Sequence, residues 1–167
     1  MALRPILCFP HARLRLTAAP VVQFDAQLVT LVTDMYETMY ASQGIGLAAT
    51  QIDVQFAVIT MDLSEQHDQP LTLINASIVE QDGLQRHEEG CLSLPGIYAE
   101  VQRAKDIRVK SFDMQGVAHE FDATGLLAVC IQHELDHLHG KVFIDHLSTL
   151  KRERLLKKAN KHCKTVM

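Results

Sequence analysis

The spacing of apolar positions along the chain predicts three helical stretches and a strand-rich middle. Over 25–42, Leu28, Leu31, Val32, Met35 and Met39 fall on one face of a 3.6-residue period. Asp25 is placed to cap the first turn, and Gly44 and Gly46 to end the helix. Residues 56–61 and 71–79 are apolar and rich in β-branched side chains, which predicts strands, and Asp82-Gly83 predicts a turn after them. Residues 105–112 and 117–121 alternate on either side of Asp113-Met114-Gln115-Gly116, the pattern of a hairpin. Residues 124–139 are strongly apolar at helical spacing, with Thr124 as a cap and Gly140 as a stop. A last helix is predicted at about 147–161, where Leu147, Leu150, Leu155 and Leu156 are available for packing. Strands in the middle and helices towards both ends make the fold class α+β.

The 167 residues, 47% of them hydrophobic, suit a single domain over 1–167 that buries a core without disulfides. No apolar run approaches the ~20 residues of a membrane span, so no membrane partner is expected. The first ten residues are broken by Pro5 and Pro10 and lack a secretory apolar stretch. The expected location is the cytoplasm, and Cys8, Cys91, Cys130 and Cys163 are then thiols, ligands or packing residues. With no Trp and 5% aromatics, stacking on nucleic-acid bases is a poor explanation of function. The net charge of −4 hides an asymmetry. Residues 147–167 hold seven Lys and Arg against Glu153 alone, or +6, which leaves −10 for residues 1–146. A basic tail on an acidic body is either a solvated terminal helix or a segment that meets something anionic.

Chemistry is concentrated in His133-Glu134-Leu135-Asp136-His137, an H-E-x-x-H motif inside a predicted helix. Residues four apart share one face, with Cβ atoms roughly 5–6 Å apart, so two imidazoles can converge on one divalent ion. The intervening Glu134 is placed to handle the proton of an activated water. By composition alone such a motif is expected about 0.03 times in a chain this long. The third ligand is not downstream: Phe143 stands where one protease pattern needs a histidine, and the only later glutamate is Glu153. Cys130 lies seven residues before His137, roughly 10.5 Å along a helix, too far to share an ion with both histidines. It reads instead as a pocket wall or core residue, and His139 and His146 read as surface histidines. The best remaining ligand is Cys91, in Glu89-Gly90-Cys91-Leu92-Ser93, although a lone cysteine also reads as a small buried hydrophobe. Gly44-Ile45-Gly46-Leu47-Ala48-Ala49-Thr50-Gln51 permits close backbone approach to a ligand, and Gln51 adds an amide donor. The same stretch also reads as a helix C-cap before a tightly packed strand.

Taken together, G-x-G-x-A-A-x-Q at Gly44 to Gln51, E-G-C-x-S at Glu89 to Ser93 and Q-H-E-x-D-H at Gln132 to His137 resemble the bacterial peptide deformylases. The resemblance implies antiparallel strands around the motif helix. It implies a hydrolase that removes the N-formyl group, as formate, from N-formylmethionyl nascent peptides. Cys91, His133 and His137 would bind the metal, Fe2+ in the family, with Zn2+, Ni2+ or Co2+ as possible occupants. Glu134 would serve as base and then acid, and Gln51 with the Leu92 N–H would hold the oxyanion. Ile45, Gly46 and Glu89 would lie along the peptide, and Leu126, Val129 and Cys130 would line the methionine pocket. His87 and Tyr98 depart from the common pattern at the peptide rim. Docking of the basic C-terminal helix on the ribosome is a further implication. Two rival classes are a metallopeptidase, which needs a downstream ligand, and a non-catalytic metal-binding module, which would not need Glu134, Gln51 and Cys91 together.

Overall fold

The Asp25 carboxylate accepts hydrogen bonds from the Gln27 and Leu28 N–H groups and so opens helix α1, Ala26–Ala41, in the computed structural model, which describes residues 2–162. Five strands follow: β1 (Gly46–Ala48), β2 (Val58–Met61), β3 (Leu71–Cys91), β4 (Leu94–Phe112) and β5 (Ala118–Thr124). They form one antiparallel sheet in sequence order. Helix α2 (Gly125–Leu138) comes next, and α3 (Thr149–His162) comes last among the described residues. None of the described helices is long and apolar enough to cross a membrane. Cys163 and Lys164 lie outside the described residues.

Strand β2 is buried on both faces. Val58, with Leu47 and Ile74, packs with Leu28, Val32, Met35 and Met39 of α1. Ile59 and Met61 point the other way, onto Ile131, Leu135 and Leu138 of α2. The period-2 alternation of one short strand thus separates two helices and holds both. Strands β3 and β4 pair along nearly their whole length and are joined at Leu92-Ser93, with Cys91 opposite Leu94. A third apolar cluster lies beside that turn: Leu94, Ile97 and Val101 with Val142, Phe143 and Ile144.

Three local expectations need correction. Asp82-Gly83 is no turn: it lies inside β3, with Asp82 opposite Asp106. Gly83 takes φ +62° without leaving the ladder, because long-range pairing with β4 outweighs the turn preference of the dipeptide. Thr124 stands at the N-cap of α2, but its hydroxyl makes no capping bond. Leu150 is 59% exposed, whereas Leu147, Leu155 and Leu156 pack on the third cluster. Five residues at 100° each put position 150 about 140° round the helix from 155. Arg152 adds an ion pair to Asp145, so α3 rests on the body at the Phe143–His146 turn.

Candidate active site

Helix α2 presents His133, Glu134 and His137 in a buried setting, at 8%, 4% and 1% exposure. The two rings meet edge to face with centroids 5.1 Å apart, as their i, i+4 spacing requires. Cys91 arrives from the end of β3, with Sγ 3.2 Å from His137 Nε2. One donor atom from each of Cys91, His133 and His137 lies within 4.8 Å of the others. Among the described residues this is the one cluster of His, Cys, Asp or Glu that could hold a metal ion. Cys130 is not part of it.

Charge in the cluster is set by these neighbours. Burial alone would raise the Cys91 pKa, but His137 and His133 outweigh it and lower the thiol to about 5. Burial works against a proton on His133, yet bonds to Cys91 and Glu89 raise its pKa well above the ordinary value. The thiolate therefore favours positive charge on His133, and a divalent cation answers the same demand. Burial pushes the Cys130 thiol well up, with the Glu134 carboxylate adding to it, so this sulfur stays protonated. Burial also raises the Glu134 pKa, against the pull of His133 and His137. Glu134 Oε2 is buried with no hydrogen-bond partner, the condition expected of a group that faces a water or ion.

The surrounding residues hold this geometry. His133 donates from Nδ1 to Glu89 Oε2 at 2.8 Å, which leaves Nε2 for the Cys91 side. Glu89 accepts from Arg103 at both oxygens, at 2.7 and 2.9 Å. Burial would raise the Glu89 pKa, but Arg103 and His133 take it down to about 2. Glu89 lines the cavity, but its carboxylate is directed to His133 and Arg103. Gln132 clamps α2 to β4: Oε1 accepts from Ala104 N and Nε2 donates to Ala104 O, both at 3.0 Å. Gln51, 1% exposed, accepts from Ala48 N–H at 2.9 Å and donates to Ser93 Oγ at 3.1 Å, with Cys91 Sγ at 3.6 Å.

A cavity of about 460 Å³ opens over the cluster. Ile45, Gly46, Leu126, Val129 and Cys130 line it, with Gln51, Leu92 and Glu134 near the donor atoms. His87 and Tyr98 form part of its wall, so both departures noted in the sequence face the same space. A Cβ at Gly46 would stand 2.5 Å from Glu134 Oε1 and 2.9 Å from Cys130 Sγ, which explains the glycine there. Sequence reasoning missed Arg103, Ser93 and the link to His146. One signal was available: Arg103 is in phase with inward-facing Val101, and a charge at an inward strand position needs buried partners.

Known proteins of one family resemble this chain over nearly its whole length. The family model for polypeptide deformylase matches residues 3–153. A peptide deformylase of Cellvibrio japonicus is 54% identical over 162 residues, covering 96% of each chain. One from Chromobacterium violaceum is 51% identical over all 167 residues, with full coverage of both. The crystal structure of a peptide deformylase from Legionella pneumophila superposes with a TM-score of 0.95 at 44% identity, covering 98% of this chain and 97% of that one. The chain belongs to the polypeptide deformylase family, metal-dependent hydrolases that remove the N-formyl group from newly made peptides.

Proposed function

We propose that Cys91, His133 and His137 hold one divalent ion, ferrous iron in the cell, and that the formamide of an N-formylmethionyl peptide is hydrolysed beside it. Zinc, nickel and cobalt suit the same soft-plus-imidazole donor set. The observation that carries this reading is the three-donor cluster under a cavity, beside a glutamate oxygen with no partner. Three protein ligands leave a position for water or substrate, as catalytic rather than structural sites do. A bound ion supplies Lewis acidity to a water and to the formyl oxygen.

The protein's own groups do the rest. Glu134, whose pKa burial raises above that of an ordinary carboxylate, takes the proton of the attacking water and returns it to the departing amine nitrogen as formate leaves. Gln51 Nε2 and the Leu92 N–H donate to the oxyanion as it forms; one such donor is worth about 3–4 kcal/mol. Leu126, Val129 and Cys130 receive the methionine side chain, while Ile45, Gly46 and the Glu89 backbone run beside the peptide. We read residues 1–167 as one catalytic domain with a basic C-terminal helix, working in the cytoplasm and docking on the ribosome through that helix.

Metal content after anaerobic purification tests the ligand set. Cys91→Ala should lose most of its bound metal and Cys130→Ala should keep it, with iron predominant in the parent protein. Retention by Cys91→Ala would overturn the assignment.

A further inference from the structure

Arg103, 5% exposed, lies between two carboxylates. Its Nε and Nη2 grip both oxygens of Glu89, and its Nη1 donates to Asp136 Oδ2 at 2.6 Å. Asp136 lies three residues beyond His133 on α2, so the two share a face. The guanidinium therefore closes a loop: from Asp136 on α2, through β4, to Glu89 on β3, and back to α2 at His133 Nδ1.

The outer corner of this loop is held by a residue outside the cavity. Asp136 Oδ2 accepts a second bond, also 2.6 Å, from His146 Nε2. His146 belongs to the turn Phe143–His146, and its side chain is 34% exposed. Asp136 Oδ2 thus accepts from two cationic or N–H donors, Arg103 Nη1 and His146 Nε2. A contact of 2.6 Å to a carboxylate requires a hydrogen on Nε2. Arg103 Nη1 lies 3.2 Å from that nitrogen, and both groups donate into the one oxygen between them. Two carboxylates share one guanidinium here, and the second donor on Asp136 offsets the surplus of acceptors. With Arg103 alone, one bond would hold Asp136 against rotation about its side-chain torsions, and any turn would strain the planar guanidinium that also grips Glu89. Donors from two elements fix it.

We propose that His146 is a positioning residue for the metal centre: acting through Asp136, Arg103 and Glu89, it fixes the ring of His133 and with it the geometry of the ligand set. This rests on the assignment of Cys91, His133 and His137 as ligands. Because His146 does not line the cavity, its effect falls on metal retention and kcat and leaves KM unchanged.

The experiment measures metal release from the purified holoenzyme to excess chelator, with kcat and KM on a formyl-Met peptide. The proteins are the parent, His146→Phe, His146→Ala, His146→Gln and Cys91→Ala. Loss of a direct partner of a metal ligand costs 10–100-fold in affinity or activity, and His146 acts from further out. His146→Phe and His146→Ala should therefore release metal about 3–10-fold faster. Their kcat should fall with KM unmoved, and His146→Gln, whose amide N–H can reach Oδ2, should restore both. His146→Ala adds no bulk, so it serves should His146→Phe fail to fold. Parent-like release by folded His146→Phe and His146→Ala would overturn the proposal. Equal losses in the Ala and Gln variants would also overturn it. If Cys91→Ala holds metal as the parent does, the ligand assignment fails first and takes this proposal with it. Loss from Cys91→Ala with none from His146→Ala sinks only the positioning role.

Discussion

Helices α2 and α3 are each 14 residues long and both rest against β4, yet they are opposites. Ten residues of α2 are buried, among them Gln132, His133, Glu134 and His137. Burying that many polar groups is tolerable only because most have a specific partner: Glu89 for His133, Ala104 for Gln132, Cys91 for His137. In α3, Lys151, Arg154 and Lys157 are exposed, and contact with the body falls to Leu155, Leu156 and Arg152. The difference teaches where function can change. On α2 most polar side chains are committed to a protein partner and Glu134 Oε2 is left without one, whereas on α3 the charged side chains answer to solvent.

The comparison is strained most by Glu134→Gln. It removes a proton acceptor but no ligand, so metal and peptide should still bind while kcat falls by about 10²–10⁴. Near-parent turnover would mean that another base operates and that α2 is not the chemical element. A smaller effect is expected from Leu155→Ala combined with Leu156→Ala. Both leucines pack on the cluster containing Phe143, whose ring stacks on His133 at 6.1 Å. Full burial would make each Leu→Ala worth 2–5 kcal/mol; partial burial suggests about 1–2 each. A chain of this size loses roughly 2–4 °C of Tm per kcal/mol, so a thermal melt reads the change directly. An unmoved melt would show α3 to be a solvated appendage. The smallest effect on catalysis belongs to Lys151→Glu with Arg154→Glu and Lys157→Glu. Turnover of a short free peptide should stay within about twofold, while co-sedimentation with ribosomes weakens, most clearly at low salt. Parent-like co-sedimentation by this folded variant would remove the docking role.

Much of this was legible from the chain, for reasons tied to range. Asp25, the α1 stripe and the Asp113–Gly116 hairpin are local devices, and each is found where periodicity put it. Asp113 takes the N–H groups of Gln115 and Val117, as a turn aspartate does. The i, i+4 histidines were legible because a helix converts spacing into geometry. Asp82-Gly83 misled because a local turn preference is weak beside a ladder that continues for 21 residues. His146 misled differently. It is exposed, as expected of a surface histidine, but its partners are 10 and 43 residues away, and nothing in a linear pattern announces such a meeting. Glu89 was read from its motif as a neighbour of the peptide, and only the fold brings Arg103 across from β4 to take both its oxygens.

The bare backbone at Gly46 also bears on how this protein can vary over generations. Any side chain there would intrude on Glu134 and Cys130 at once, so the position is closed to drift whichever peptide the cavity favours. Selection for a different peptide sequence, or against an unwanted occupant of the cavity, has to act on other walls. Tyr98, on the cavity wall, is 63% exposed and has no part in the chemistry described above. The geometry thus separates an invariant floor from an adjustable rim, and inherited differences among such enzymes should collect at the rim.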